Sequence, residues 1–545
     1  MVQLLLRHHA AGLLFLTSHA ALAAASISRV VSSNAGLRLA AQPAVQWTPT
    51  AKCPHTAALH VEHRRAYQTI GGFGASMTES SAINVNSLPP AKQTILLEAL
   101  FGPTGARFSA MKATMLSNDF ATATGRWATY DDNAGVPDPA LTHFSIERDL
   151  RQNGTLTFIK RAIAMGFEGT IQAYMDFPPD WMLSGTGPPT NRTIDPQYYD
   201  TLAMYFAKYV QAYAAHGVHI DFLEAFNEPV DSYVNISTKG LATFLGKHLG
   251  PLFDKLGLRQ NGTKLSYGGQ CARATAHAFV EAVMKDPDAR AYMDVIVYHG
   301  YDCQLAVADN PASECDDATQ NYELIAKLKE KYGKERDLWM SEICYAYYPL
   351  GGDDACLRNE TLHECAEYPR NHSLAPPLPR RDFADGATWG HRIVREMQAG
   401  ASGWIYWNLA LDSSGGPSLI SPEHGDPREN KQHPVVIVDG CDSYHLTGLY
   451  FFLAHFSKFV RPGAVRIGVD ESDALPSSVV AVAFADAPDE DAGVTLQLVN
   501  SAKDKAHTVA VCAEINGSAW TANLTLPALS ITTARWGESS AHEPY

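Results

Sequence analysis

The chain has 545 residues, of which 46% are hydrophobic and 19% charged, an ordinary globular balance that argues against a disordered chain. Its 43 basic and 58 acidic side chains leave a net charge of −15, so nucleic acid is not an expected partner and a neutral or cationic substrate is favoured over a polyanion. Nine cysteines are too few for a disulfide scaffold, and the length accommodates a (β/α)₈ barrel of ~250 residues or more together with a second domain.

Residues 1–23 read as a signal peptide. Arg7 lies in a short start segment, Ala10 to Ala23 is mostly Ala and Leu, and Ala21-Leu22-Ala23 is a small-x-small cleavage site. An amphipathic first helix is the competing reading. Residues 26–67 are β-like but too short to fold alone, so they are expected to join a later β module.

From residue 68 to 460 short apolar runs alternate with helix-like stretches. The expected strands are Gln68–Gly74, Arg107–Met115, Gly169–Phe177, His219–Asn227, Lys264–Gly269, Asp294–His299, Leu338–Cys344 and Gly403–Leu409. Apolar residues at three and four spacing predict helices over Tyr198–Ala215, Leu241–Leu256 and Tyr322–Tyr332. Pro89 precedes a helix over Ala91–Leu100, and Asp195-Pro196 opens another with Asp195 as N-cap. Eight such units imply a closed parallel barrel or a doubly wound sheet, and the count favours the barrel. Pro376–Arg381 reads as a loop.

Residues 461–545 change texture. Ser477–Phe484, Val494–Asn500, His507–Cys512 and Ser518–Leu526 are short β-rich runs without helices between them, which predicts a small all-β sandwich. The fold class is therefore α/β: a (β/α)₈ barrel with an all-β side domain built from both chain ends.

No apolar run after the leader reaches the ~18 residues needed to cross a bilayer. Phe451–Phe459 is interrupted by His455, Ser457 and Lys458, and His542-Glu543-Pro544-Tyr545 is not a retention signal. Sequons at Asn153, Asn191, Asn235, Asn261, Asn359, Asn371, Asn516 and Asn523, with the leader, point to a secreted or lysosomal glycoprotein. Cys303/Cys315 and Cys356/Cys365 flank polar segments and could close short loops there. The odd count leaves a free thiol, for which Cys344 in an apolar strand is the candidate; buried free thiols throughout is the other reading.

The sequence has no P-loop, G-x-S-x-G, H-E-x-x-H or C-x-x-C, and Gly71-Gly72-Phe73-Gly74 lacks the third glycine of a dinucleotide fingerprint. Two carboxylates stand out instead. Glu228 follows the apolar run His219–Asn227, and Glu342 lies in Leu338-Trp339-Met340-Ser341-Glu342. Parallel barrel strands aim their C-terminal ends at the active site, so these two can converge on one bond. Glycoside hydrolysis needs such a pair, and their separation decides between retention and inversion. Each Glu could instead pair with a barrel arginine in a purely structural role.

The chain resembles glycoside hydrolase family 30, and within it the glucosylceramidase type, from about Ile70 to the C-terminus. The resemblance is carried by Gly71-Gly72-Phe73-Gly74, Asn227-Glu228-Pro229, Ser341-Glu342, Trp404 to Leu411, Gly415-Gly416-Pro417, Pro434 to Asp439 and His455 to Phe459, in family order. It implies a retaining β-glycosidase with Glu228 as acid/base and Glu342 as nucleophile. It further implies that Asn227 bonds the sugar 2-hydroxyl, Asp119 binds sugar hydroxyls, Trp407 forms an aromatic wall, and His299 and Tyr301 stand beside the nucleophile.

On that reading no metal or organic cofactor is needed. The substrate is a β-glycoside, and a glycolipid substrate implies peripheral contact with membrane lipid. A negative Glu342 and partial burial are expected to raise the pKa of Glu228.

Three departures bear on specificity. Lys112 stands where the type has Arg and cannot reproduce a bidentate fork. Asp176 stands where it has Trp and changes what is read around the bound sugar. Gly300 replaces another Trp and is expected to open space beside the catalytic pair. Hydrolysis of β-1,6-glucan or β-1,6-galactan therefore stands as the alternative, and a catalytically silent carbohydrate- or lipid-binding protein as the reading from another class.

Overall fold

The computed structural model describes residues 26–55, 57–121, 128–186, 192–229, 235–302, 317–344, 346–347, 383–418, 431–486, 493–515 and 517–537. The leader, the Cys303/Cys315 and Cys356/Cys365 pairings, the Pro376–Arg381 loop, the sequons at Asn191, Asn359, Asn371 and Asn516, and the C-terminal tetrapeptide lie outside the described residues.

Two compact units result, one spanning Gly71–Arg381 and Ala399–Tyr450, the other taking the remaining chain. The first unit is a closed barrel of parallel strands: β1 Gly72–Met77, β2 Ala110–Thr114, β3 Thr170–Tyr174, β4 Phe222–Glu224, β5 Lys264–Tyr267, β6 Val295–His299, β7 Asp337–Glu342 and β8 Gly403–Asn408. Each falls within or overlaps one of the eight expected apolar runs, mostly shorter because barrel strands hand over to loops at the C-terminal mouth.

Ala110, Phe222, Val295, Val297, Trp339 and Ile405 form one buried cluster drawn largely from alternate strands, the layering that closes a barrel interior. Trp339 is the bulky member. A Cβ at Gly71 or Gly403 would lie 2.3 or 2.2 Å from its ring, so glycine is what gives the indole room.

Helices Pro90–Phe101, Tyr199–Ala215 and Tyr322–Tyr332 match their predicted spans closely. Asp195 caps a 3₁₀ turn, Pro196–Tyr198, accepting from Gln197 N at 3.1 Å. The expected single helix Leu241–Leu256 is instead three pieces, Thr238–Thr243, a π-helical turn Phe244–Leu249 and Gly250–Lys255. Pro251 lacks the N–H that would continue the α ladder, which accounts for the break.

The second unit carries a ten-stranded sheet. In spatial order its strands are Ala40–Gln46, Ser26–Ser33, Ser530–Trp536, Val494–Asn500, Val479–Ala485, Val465–Glu471, Leu59–Thr69, His507–Ile515, Ser518–Leu526 and Thr48–Thr50. It is one hydrogen-bonded sheet that folds over, so that Ala522, Leu524 and Leu526 near one end share a core with Leu496, Leu498 and Ala534. Strands Val465–Glu471 and Ser530–Trp536 were not among the expected runs.

Most of helix Gly448–Phe459 belongs with this sheet. Its buried His455 bonds Thr533 Oγ1 at 2.6 Å and Ser32 Oγ at 2.9 Å, and burial lowers its pKa to about 3, so it stays neutral. A disulfide joins Cys53 to Cys512, tying the N-terminal strands to the C-terminal ones. Cys344 is a buried thiol outside any disulfide, as expected, and Cys271 and Cys441 are thiols as well. No helix among the described residues is long and apolar enough to cross a membrane.

Candidate active site

The C-terminal ends of the barrel strands bring the candidate residues together. Lys112 is on β2 and Asp119 follows it; Asp176 follows β3; Asn227 and Glu228 follow β4; Cys271 follows β5. His299 ends β6 with Tyr301 just beyond, Glu342 ends β7, and Trp407 is on β8. All are buried to the extent expected of a closed mouth, except the partly exposed Cys271.

Register explains why Glu342 points inward. Trp339 is in the barrel core, so strict alternation along β7 would aim Ser341 inward and Glu342 out. The pairing of Tyr298 with Met340 is followed by that of His299 with Glu342, a bulge that resets the phase and sets Glu342 beside His299. Glu228 adopts φ 44°, an uncommon left-handed conformation for glutamate, held by its N–H bond to Gly269 O at 2.8 Å.

One oxygen of Glu228, one of Glu342 and a ring nitrogen of His299 lie within 4.8 Å of one another. Glu342 accepts from Lys112 Nζ at 2.7 Å through Oε2 and from the Tyr301 hydroxyl at 3.1 Å through Oε1. Lys112 is wholly buried. Its ammonium also reaches Asn227 Oδ1 at 3.3 Å and sits over the Tyr174 and Trp407 rings at 4.0 and 5.6 Å. This single cation serves the nucleophile side of the site.

Glu228 takes a different set of donors. His299 Nδ1 bonds its Oε1 at 2.7 Å, and the Cys271 thiol donates to the same oxygen at 2.9 Å. Burial pushes the Glu228 carboxyl up, but the His299 bond and charge, the Cys271 thiol and the Lys112 charge outweigh it, and the net direction is down. The expectation of a raised Glu228 is thus corrected: it counted the neighbouring carboxylate and burial but not the donors. His299 Nε2 lies 3.5 Å from Lys112 Nζ, so a neutral ring has its proton on Nδ1, facing Glu228.

Tyr301 is steered by the segment around it. Asp302 accepts from Arg273 N at 2.8 Å and Ala274 N at 3.1 Å at the start of helix Arg273–Val283, and pairs with the buried Arg273 guanidinium at 2.9 Å. A Cβ at Gly300 would lie 2.7 Å from Ile343 Cδ1 and 3.0 Å from Arg273 Nη2. The expected opening at Gly300 is therefore absent; Ile343 and Arg273 fill the volume a side chain would enter. Cys344 donates to Gln432 Oε1 at 3.1 Å and contacts the Tyr301 hydroxyl at 3.4 Å.

Asp176 is 2% exposed, and its Oδ1 has no hydrogen-bond partner. Tyr174 OH donates to its Oδ2 at 3.4 Å. Burial, then the charges of Asp119 and Glu342, push its pKa well up, which favours the neutral form that can donate. Trp407 meets Phe120 and Tyr174 edge-on at 6.4 and 5.9 Å, which fixes its plane. Asp119 is held through its backbone, whose carbonyl accepts from Ser418 Oγ at 2.9 Å. Sequence reasoning passed over Cys271, Arg273 and Gln432; only the position of Cys271 after a barrel strand could have flagged it.

The Glu228–His299–Glu342 group also has the donor types of a metal site, but the Lys112 ammonium already lies on Glu342 and supplies the local positive charge. The two carboxylates are close enough for double displacement at one anomeric carbon.

That geometry defines a glycoside hydrolase on a (β/α)₈ barrel. A family model described as the glycosyl hydrolase family 30 TIM-barrel domain matches residues 70–337 and 380–460, and the chain belongs to this family. It is 24% identical over 439 residues to the lysosomal acid glucosylceramidase of Mus musculus, covering 78% of this chain and 74% of the relative. It is 28% identical over 408 residues to the endo-1,6-beta-D-glucanase of Neurospora crassa, covering 73% and 72%. Among solved structures, SrfJ from Salmonella typhimurium superposes with a TM-score of 0.74 at 20% identity, covering 94% of this chain and 100% of that one. The chain is an O-glycosidase of this family.

Proposed function

We propose that the protein hydrolyses a β-glucosidic bond with retention, using Glu342 as nucleophile and Glu228 as acid/base. The observation that carries this is the pair of carboxylate oxygens within 4.8 Å of one another, each with its own donors. Inverting enzymes space their carboxyls by ~6.5–9.5 Å to admit a water, and retaining ones by ~5–5.5 Å.

Lys112 and Tyr301 orient Glu342 for attack on the anomeric carbon. Glu228, held by His299 Nδ1, gives the proton that the leaving oxygen takes. Once Glu342 is glycosylated its charge is gone, and Glu228 draws a proton from the incoming water. Asn227, Asp119, Asp176 and Trp407 line the sugar: three polar groups for hydroxyls and one apolar face for C–H groups.

Glucosylceramide is the leading substrate, supported by the similarity to the mouse enzyme; a glycolipid implies peripheral contact with membrane lipid. A second reading, β-1,6-glucan, is favoured by the similarity to the Neurospora enzyme and by the buried Asp176, which offers two carboxyl oxygens to hydroxyls where an indole offers one N–H.

Export through the leader is part of the proposal. The Cys53–Cys512 disulfide supports an oxidising destination, and exposed sequons at Asn235, Asn261 and Asn523 support glycosylation.

The test is release of sugar from glucosylceramide, β-1,6-glucan, β-1,6-galactan and fluorogenic β-glucoside, with Glu342→Gln as control. Glucose from glucosylceramide, lost in the variant, supports the leading reading. Cleavage of glucan alone selects the second. Turnover that survives Glu342→Gln refutes the assignment of the nucleophile.

A further inference from the structure

Among the described residues, three groups of histidine and carboxylate place their donor atoms within 4.8 Å of one another. Two of them contain a basic side chain of their own. Lys112 bonds Glu342 in the active site, and Arg65 pairs with Glu62 and Asp470 on the second unit. The third, Asp131, Asp138 and His143, has no lysine or arginine ion pair.

This third group is built by one loop of the barrel unit, after β2. Ser145 N bonds Tyr130 O at 2.9 Å and closes the loop, while Leu141, at φ 51°, bonds Asp138 O through its N–H at 2.9 Å. Asp138 Oδ2 accepts from Thr142 Oγ1 at 2.9 Å, His143 N at 2.9 Å and His143 Nδ1 at 2.8 Å.

Asp131 is 1% exposed, and neither of its carboxylate oxygens has a hydrogen-bond partner. Lys208, whose charge acts on Asp131, directs its ammonium to Leu141 O at 2.7 Å. Burial, then the Asp138 charge, raise the Asp131 carboxyl to about 6 against the pull of His143 and Lys208.

A buried carboxylate with neither donor nor cation is costly, and a structure keeps one where something else completes it. We propose that Asp131, Asp138 and His143 form a divalent metal site that clasps the loop after β2. Two carboxylates and one imidazole are a borderline N/O set of the kind that takes Zn²⁺ or Mn²⁺, with water completing the shell. As the groups become ligands any proton on Asp131 leaves to solvent, and a neutral His143 ring that binds through Nδ1 carries its proton on Nε2 instead.

The metal's role is structural. The Asp131 carbonyl accepts from Trp181 Nε1 at 2.8 Å, so the clasp also anchors the loop that runs on from Asp176. The site is separate from the catalytic carboxylates and does not depend on the proposed substrate.

The experiment uses the full chain without a histidine tag, stripped with EDTA and dialysed, then titrated with Zn²⁺ by calorimetry with parallel thermal melts. Mn²⁺ and Ca²⁺ are run as further arms. One Zn²⁺ per chain is expected, with a rise in Tm. His143→Ala, an exposed and well tolerated change, should weaken binding by at least about tenfold. Asp131→Asn should abolish this binding and raise the Tm of the metal-free protein by removing the unpaired charge. The proposal is overturned if no cation raises Tm at millimolar concentration, the result expected if Asp131 and Asp138 merely share a proton. It is equally overturned if Zn²⁺ binds His143→Ala and Asp131→Asn as tightly as the parent.

Discussion

Replacing His299 with Phe should move the alkaline limb of the pH profile for kcat/KM upward. His299 gives Glu228 its shortest hydrogen bond, 2.7 Å from Nδ1 to Oε1, and with its charge it is the main influence holding that carboxyl below its ordinary value. Phenylalanine keeps the ring volume but removes both the bond and the charge. Burial, which pushes Glu228 up, remains.

A hydrogen bond to a charged group contributes ~1.5–3 kcal/mol, and one pKa unit corresponds to ~1.36 kcal/mol, so the limb should rise by roughly 1–2 pH units. The sign follows from the role. The acid works protonated, so a higher pKa extends activity to higher pH even as kcat falls through lost orientation. The assay is kcat/KM on a fluorogenic β-glucoside from about pH 4 to 8, where a carboxylic acid catalyst titrates. Cys271→Ala removes the second donor, at 2.9 Å, and should shift the limb the same way by up to about one unit, less than His299 because a thiol is a weak donor. A limb that stays in place or moves down in both variants would refute the assignment of His299 and Cys271 as the groups that set Glu228.

Three further outcomes are expected. Lys112→Met leaves Glu342 buried without its cation, which should cost about 3–5 kcal/mol in denaturant unfolding and sharply lower kcat. Asp176→Asn mimics the neutral acid and should keep kcat/KM within a few-fold, whereas Asp176→Ala should lower it by tenfold or more; equal losses would show that Asp176 acts as a carboxylate. Asp149, buried and bonded by the Tyr130 and Tyr213 hydroxyls at 2.6 Å each, has its pKa raised to about 7 chiefly by burial. The native state then binds more protons than the unfolded chain between about pH 4 and 7, so stability falls as pH rises through that window, by up to about 4 kcal/mol. Asp149→Asn should flatten that dependence in thermal melts from pH 4.5 to 8.

The strands of the barrel were legible because a strand buried on both faces is a continuous apolar run that needs no register to be seen. The two strands overlooked in the second unit are less plain: Val465–Glu471 carries Arg, Gly, Asp and Glu, and Ser530–Trp536 holds two threonines and an arginine. The helix over Leu241–Leu256 was misjudged because apolar spacing does not register the N–H that Pro251 lacks.

At the site, residue types and motif order found both carboxylates and the polar wall. What they could not show is phase. By alternation Glu342 faces away from the barrel core, and only the bulge opposite His299 turns it inward. Nor does a linear sequence tell which donors reach a carboxylate. Cys271, distant in sequence from Glu228, reverses with His299 the direction that burial alone would impose. Gly300 shows the same limit, since a missing side chain reads as space until Ile343 and Arg273 are seen to fill it.

The central claim is double displacement through Glu342. Its most direct test is to incubate the enzyme with a 2-deoxy-2-fluoro-β-glucosyl fluoride, digest it, and locate the trapped sugar by mass spectrometry. A single glucosyl adduct on the peptide containing Glu342, formed as activity is lost and absent in Glu342→Gln, is the expected result. An adduct on Glu228 or another residue, or turnover with no trapped species and release of the inverted anomer, would contradict it.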